Sequence, residues 1–117
     1  MREKIYHITT KTAWDEAKSI GFYRDNSLVK DGFIHCSYPE QIVRVANHRF
    51  KQQTNLLILA INRSWTNCSV VDEDLYNLDE QFPHIYGPLP ISAVFDVIPF
   101  PSNEDGGFSL PDQIIST

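Results

Sequence analysis

The 117-residue chain carries 42% hydrophobic and 21% charged residues, the composition of one ordinary folded domain, which excludes extensive disorder. A net charge of −5 removes general attraction to phosphate backbones and anionic membranes, so neither long nucleic acid nor a membrane surface is an expected partner. Two cysteines without C-x-x-C spacing, no apolar leader and no long apolar run point to a reduced, cytoplasmic protein.

Lys4-Ile5-Tyr6-His7-Ile8-Thr9 alternates and is rich in β-branched and aromatic residues, which predicts a first strand. Alternation places Ile5, His7 and Thr9 on one face and Tyr6 and Ile8 on the other. A short helix is expected from Thr12, with Thr12 as N-cap and Asp15 closing a capping box. Trp14, Ala17 and Lys18 would share one side of it, and Gly21 would stop it.

Asn26-Ser27 and Lys30-Asp31-Gly32 read as turns, and Phe33-Ile34-His35-Cys36 as a short strand. Ser37-x-x-Glu40 has the form of a capping box, followed by Ile42, Val45, Ala46 and Phe50 at helical spacing, so a second helix should run to about Lys51. Leu56 to Ile61 suits a central strand buried on both faces. Asn62 to Asn67 reads as a loop and Ser69 to Asp72 as a short strand. The proline- and aromatic-rich Phe82 to Pro88 cannot be a regular helix and reads as a rigid loop. Ile91 to Phe100 is strand-like, with Val94, Asp96 and Ile98 opposite Phe95 and Val97; a polar loop from Ser102 to Gly107 precedes a last segment at Phe108-Ser109-Leu110. The order of elements argues for a single α+β domain over residues 1–117.

Among four histidines, His48 lies between Asn47 and Arg49 and reads as solvated, whereas His7, His35 and His84 each sit among apolar and aromatic residues. A buried imidazole must be hydrogen-bonded. Packing explains any one of them, but three in so small a domain point to a shared cleft. His35 and Cys36 are strand neighbours facing opposite ways, which argues against a Cys–His dyad and assigns Cys36 to the core. A zinc site from the three histidines with Asp72 or Glu73 lacks any metal-ligand spacing, and no metal is expected. Ser37 is explained by capping, yet a serine at a helix N-terminus can also orient a phosphate or ribose. Tyr86 is either filler or a platform for a flat ring.

I-Y-H-I-T (5–9), the Trp14 helix, G-F-I-H-C-S (32–37), L-L-I-L (56–59), F-P-H-I-Y-G-P-L (82–89) and G-F-S-L-P (107–111) follow one another in that order. The pattern resembles the small bacterial family known as domain of unknown function 952. The resemblance implies an ADP-ribosyltransferase-like fold, a split core of two small antiparallel sheets with flanking helices. Fold relatives there are NAD-dependent ADP-ribosyltransferases and RNA 2′-phosphotransferases. By resemblance His7 would hold the nicotinamide-side ribose, and His35 with Ser37 would stand near the nicotinamide. The glutamate that such enzymes use has no clear counterpart; Asp72 and Glu73 stand nearest.

The resulting expectation is a histidine-rich cleft that binds a small-molecule nucleotide such as NAD and cleaves or transfers ADP-ribose. His7, His35, Glu73 and His84 are the candidate catalytic residues, and His7, His35, Ser37, His84 and Tyr86 the candidate ligand-binding ones. The alternatives are a binding module without chemistry, or an NAD-dependent phosphotransferase acting on a small 2′-phosphorylated substrate.

Overall fold

A computed structural model describes residues 2–115, the side chain of residue 115 excepted. Strand β1 (Lys4–Thr10) leads into helix α1 (Lys11–Ile20), a short strand β2 (Phe22–Tyr23) and a one-turn helix α2 (Asn26–Lys30). Strand β3 (Ile34–His35) precedes helix α3 (Pro39–Arg49), strand β4 (Leu56–Asn62), a 3-10 turn (Arg63–Trp65) and strand β5 (Val70–Glu73). Strands β6 (Phe82–Ile85), β7 (Leu89–Pro90) and β8 (Val94–Pro99) follow, and a short helix α4 (Asp112–Ile115) ends the described chain. The architecture is α+β, and no helix among the described residues is long and apolar enough to cross a membrane.

One antiparallel sheet has the order β1-β4-β8 and another the order β3-β6-β5, with β2 and β7 paired separately. Strand β4 is central, and it is apolar from Leu56 to Ile61 because both faces of its sheet are covered. Leu57, Leu59 and Ile61 point to one side, where Ile5, Trp14, Tyr23, Ile34, Ile85 and Leu89 pack. Leu56, Ile58 and Ala60 point to the other, against Ile42 and Ala46 of α3, Phe100, Phe108 and Ile114. An antiparallel bridge from Tyr6 to Ser37 joins the two larger sheets: Tyr6 N donates to Ser37 O at 2.9 Å and Ser37 N to Tyr6 O at 2.7 Å.

Several sequence expectations shift. Thr10, two residues before the expected cap, caps α1 by accepting from Ala13 N at 3.1 Å. Asp15 pairs instead with Lys11 and Lys18, at 2.8 and 3.3 Å, so Lys18 lies on the solvent side while Trp14 and Ala17 are buried. Gly21 does end α1, in the left-handed region at φ 100° with its N–H on Ala17 O. Asn26–Lys30 is helical because Asp25 accepts from the amide and the hydroxyl of Ser27.

The N-cap of α3 is Tyr38, since Ser37 is committed to the bridge with Tyr6; Gln41, not Glu40, reaches back to the Tyr38 N–H at 2.9 Å. Phe82–Ile85, read as a rigid loop, is the central strand of its sheet despite Pro83. The alternation expected in the last strand breaks at a register shift between Ala60 and Ile61, opposite which β8 skips from Asp96 to Val94. Val94 and Val97 therefore pack against the same cluster.

Candidate active site

A cleft of about 610 Å³ opens between α3, the exit of β3, strand β6 and the 74–80 loop. Its floor holds His35, Cys36, Ser37 and His84; Arg44, Val45, His48 and Arg49 come from α3, and Tyr76, Leu78, Glu80 and Phe82 from the opposite wall. Helical spacing explains the division of α3. Ile42 and Ala46, four apart, enter the core, while Arg44 with His48 and Val45 with Arg49 occupy the next face.

His84 is almost fully buried, stacked on Phe33 with ring centroids 4.0 Å apart. Its Nδ1 donates to Glu73 Oε2 at 2.8 Å. Glu73 pairs with Phe82 in the β5–β6 ladder, so it sits diagonally beside His84 on the same face. The same Glu73 oxygen accepts the Tyr86 hydroxyl proton, and that bond is the main reason the Tyr86 hydroxyl is pushed up to about 12. Burial lowers the His84 imidazole below its usual range, and the Glu73 hydrogen bond offsets only part of this. His84 is thus a neutral imidazole at pH 7, with Nδ1–H fixed on Glu73 and the Nε2 lone pair unengaged.

His35 lies across from it, edge to face, with centroids 5.5 Å apart and planes at 76°. Its Nε2 bonds Asp31 Oδ2 at 3.0 Å, and Tyr76 stacks on its outer side at 6.2 Å. No buried side-chain nitrogen or oxygen among the described residues lacks a partner. Since His84 Nε2 and His35 Nδ1 have no protein partner, both reach the solvent of the cleft.

The six sequence candidates divide. His35, Ser37 and His84 come together on the cleft floor. Glu73 and Tyr86 lie behind His84 and do not line the cleft; Tyr86 leans on Phe33 at 5.4 Å. His7 lies deeper, between the sheets. Its Nδ1 donates to the His35 carbonyl at 2.5 Å, and its Nε2 is 2.8 Å from the Tyr23 hydroxyl, which also contacts Thr9 and Asp25. Burial lowers the His7 imidazole, against the raising effect of Asp25. His7 thus holds the backbone of His35 rather than touching the cleft.

Cys36 is buried among apolar residues, and burial pushes its thiol up, which makes it inert as a nucleophile. Asp72 is likewise occupied elsewhere: with Tyr38 it binds the buried Arg63 guanidinium, at 3.0 Å for the Arg63–Asp72 pair. No three His, Cys, Asp or Glu side chains among the described residues are grouped to hold a metal ion.

Sequence reasoning missed Asp31, Arg44, Arg49, Tyr76, Glu80 and Phe82, and placed His48 in open solvent, where it is exposed but on the cleft rim. The one available signal was the Arg44–His48 and Val45–Arg49 spacing on α3. Glu80 closes the far wall by accepting from Gln41 Nε2 at 2.9 Å and from Arg44 at 2.6 Å. Arg49 has no ion-pair partner among the described residues, which leaves one guanidinium on the rim available to a ligand.

Residues 8–97 match the family model described as "Protein of unknown function (DUF952)". The crystal structure of protein CC0527 from Caulobacter crescentus is similar at 32% identity and a TM-score of 0.87, covering 96% of this chain and 98% of that one. A solution NMR structure of the same protein is similar at 31% identity and a TM-score of 0.74, covering 94% and 95%. None of the curated proteins matches the chain.

Proposed function

The chain belongs to the DUF952 family, and from that footing we propose that its cleft binds a small nucleotide such as NAD in a reduced, cytoplasmic setting. The observation that carries the reading is the division of the cleft walls. One wall bears His48 and the unpaired Arg49, which suit a phosphate, beside Arg44, which is held by Glu80; the other bears Tyr76 and Phe82, which suit a flat ring. Ser37, His35 and His84 lie between them, in reach of ribose hydroxyls. The volume of about 610 Å³ suits one nucleotide and not a strand, in keeping with the net charge of −5. Two three-stranded antiparallel sheets joined edge to edge are also compatible with the proposed ADP-ribosyltransferase-like arrangement.

Calorimetric titration with NAD, ADP-ribose and AMP tests the reading. Binding is expected, and Arg49→Glu should weaken it at least about tenfold, the effect of replacing one charge-assisted contact by a repulsive one. No heat at millimolar concentrations of all three would overturn it.

A second reading, binding without transfer of ADP-ribose, is favoured by the position of Glu73. Its carboxylate is shared between His84 and Tyr86 and does not face the cleft, so it is badly placed to stabilise an oxocarbenium-like centre. Under this reading NAD binds and no nicotinamide is released. Release of nicotinamide, lost in Glu73→Gln, would restore ADP-ribosyl chemistry; removal of a 2′-phosphate in the presence of NAD would identify the phosphotransferase instead.

A further inference from the structure

The two imidazoles on the cleft floor share a design that ligand binding alone does not require. Each has one ring nitrogen on a carboxylate, His84 on Glu73 and His35 on Asp31, and each leaves its other nitrogen without a protein partner. A carboxylate behind an imidazole fixes ring orientation and tautomer and supports proton transfer at the opposite nitrogen. The edge-to-face arrangement, with centroids 5.5 Å apart on the floor of one cleft, places both imidazoles within the span of one small group. Arg49 stands on the rim above them.

We propose that His84 and His35 are a general base and general acid for hydrolysis of a cyclic phosphodiester, the substrate class being nucleoside 2′,3′-cyclic phosphates. This rests on the nucleotide-binding reading of the same cleft. Two imidazoles flanking one phosphorus suit proton transfers to and from its oxygens, whereas cleavage of a glycosidic bond calls for a carboxylate that the floor does not offer. The cyclic ester fits the size of the cleft, and its strained five-membered ring opens with a base and an acid alone.

In the step, His84 Nε2 takes a proton from water as the water oxygen bonds to phosphorus. The bond from phosphorus to one ribose oxygen breaks, and protonated His35 gives its Nδ1 proton to that oxygen. One water is consumed and a nucleoside monophosphate leaves. His84 then loses its proton to solvent and His35 regains one. The low position of the His84 imidazole, caused mainly by burial, keeps the base in its working form at neutral pH.

The test combines binding with turnover. The intact protein is titrated calorimetrically with 2′-AMP and 3′-AMP, and incubated with 2′,3′-cyclic AMP while phosphorus NMR follows ring opening. Binding of a monophosphate, turnover, and a loss of about 100-fold or more in kcat for His84→Gln and for His35→Gln are the expected results. His35 is partly exposed, so its variant serves even where replacing the buried His84 disturbs folding. Glu73→Gln, a positioning change, should lower kcat with KM unchanged and displace the basic-form limb of a bell-shaped pH profile. Monophosphate binding without ring opening, or ring opening undiminished in His35→Gln, overturns the proposal and leaves nucleotide binding standing. No binding of any nucleotide removes both.

Discussion

Glu73 serves two donors with one carboxylate oxygen, and that arrangement can be read optically. Its hydrogen bond and charge hold the Tyr86 hydroxyl up at about 12, so Glu73→Gln should bring that tyrosine back towards its ordinary value near 10. The expected observation is one additional tyrosine ionising at lower pH in an absorbance titration of the variant. The histidines of this site were legible as singular residues, because an imidazole among apolar neighbours demands a partner. Their partners were not legible. Glu73 and His84 meet through the register of β5 on β6, and a strand pattern does not reveal the register in which it pairs. Arg63 was passed over for a similar reason. It is buried on Tyr38 at the start of α3 and on Asp72 and the Val70 carbonyl of β5, two segments far apart in the chain. Arg63→Met should lower the unfolding free energy by about 3 kcal/mol, since it leaves the half-buried Asp72 without its cation; urea denaturation measures it.

At the scale of elements, local chemistry succeeded where a segment's fate depends on itself. Gly21 is such a case: at φ 100° only glycine terminates α1 without strain. Nothing crowds the position, so Gly21→Ala should cost about 1 kcal/mol through the backbone alone, read as a fall in the urea midpoint with the slope unchanged. Strand β4 was equally plain, because burial on both faces writes itself as an unbroken apolar run. Elements whose shape comes from a neighbour were misread. Ser37 has every attribute of a cap, but its backbone is taken by Tyr6, and the helix begins one residue later. Phe82–Ile85 looks like a loop on account of Pro83, yet it is held between β3 and β5. The shift in β8 arises against β4 and leaves no trace in its own residues.

For the whole molecule, buried titratable groups set one direction of pH dependence. Burial lowers His7 and His84, so below the usual histidine value near 6.5 the unfolded chain binds protons that the folded one refuses. Asp72 is lowered too, as its Tyr38 and Arg63 hydrogen bonds outweigh burial, and Glu73 is lowered first by Tyr86. Their contributions are full above the usual carboxylate range near 4 and are lost below it. Both sets act alike: urea midpoints should fall steadily from pH 7 to pH 3, with no rise on acidification. The same depth of attachment bears on how the cleft moves. Its floor is secured from three directions: Cys36 N donates to Pro83 O at 3.0 Å, Ser37 N to Tyr6 O, and His7 to the His35 carbonyl. Two of those anchors belong to β1 of the central layer, so the floor cannot loosen unless that layer does. In deuterated solvent the amides of Cys36 and Ser37 should therefore exchange only at the pace of global opening, as slowly as those of β4, while the outer wall at residues 74–80, where Leu78 N and Asp79 N rest on the Asp74 carboxylate through exposed hydrogen bonds, exchanges faster through local opening. A ligand would meet a cleft floor that is stationary on the timescale of its visit, and any adaptation to its shape would fall to the outer wall.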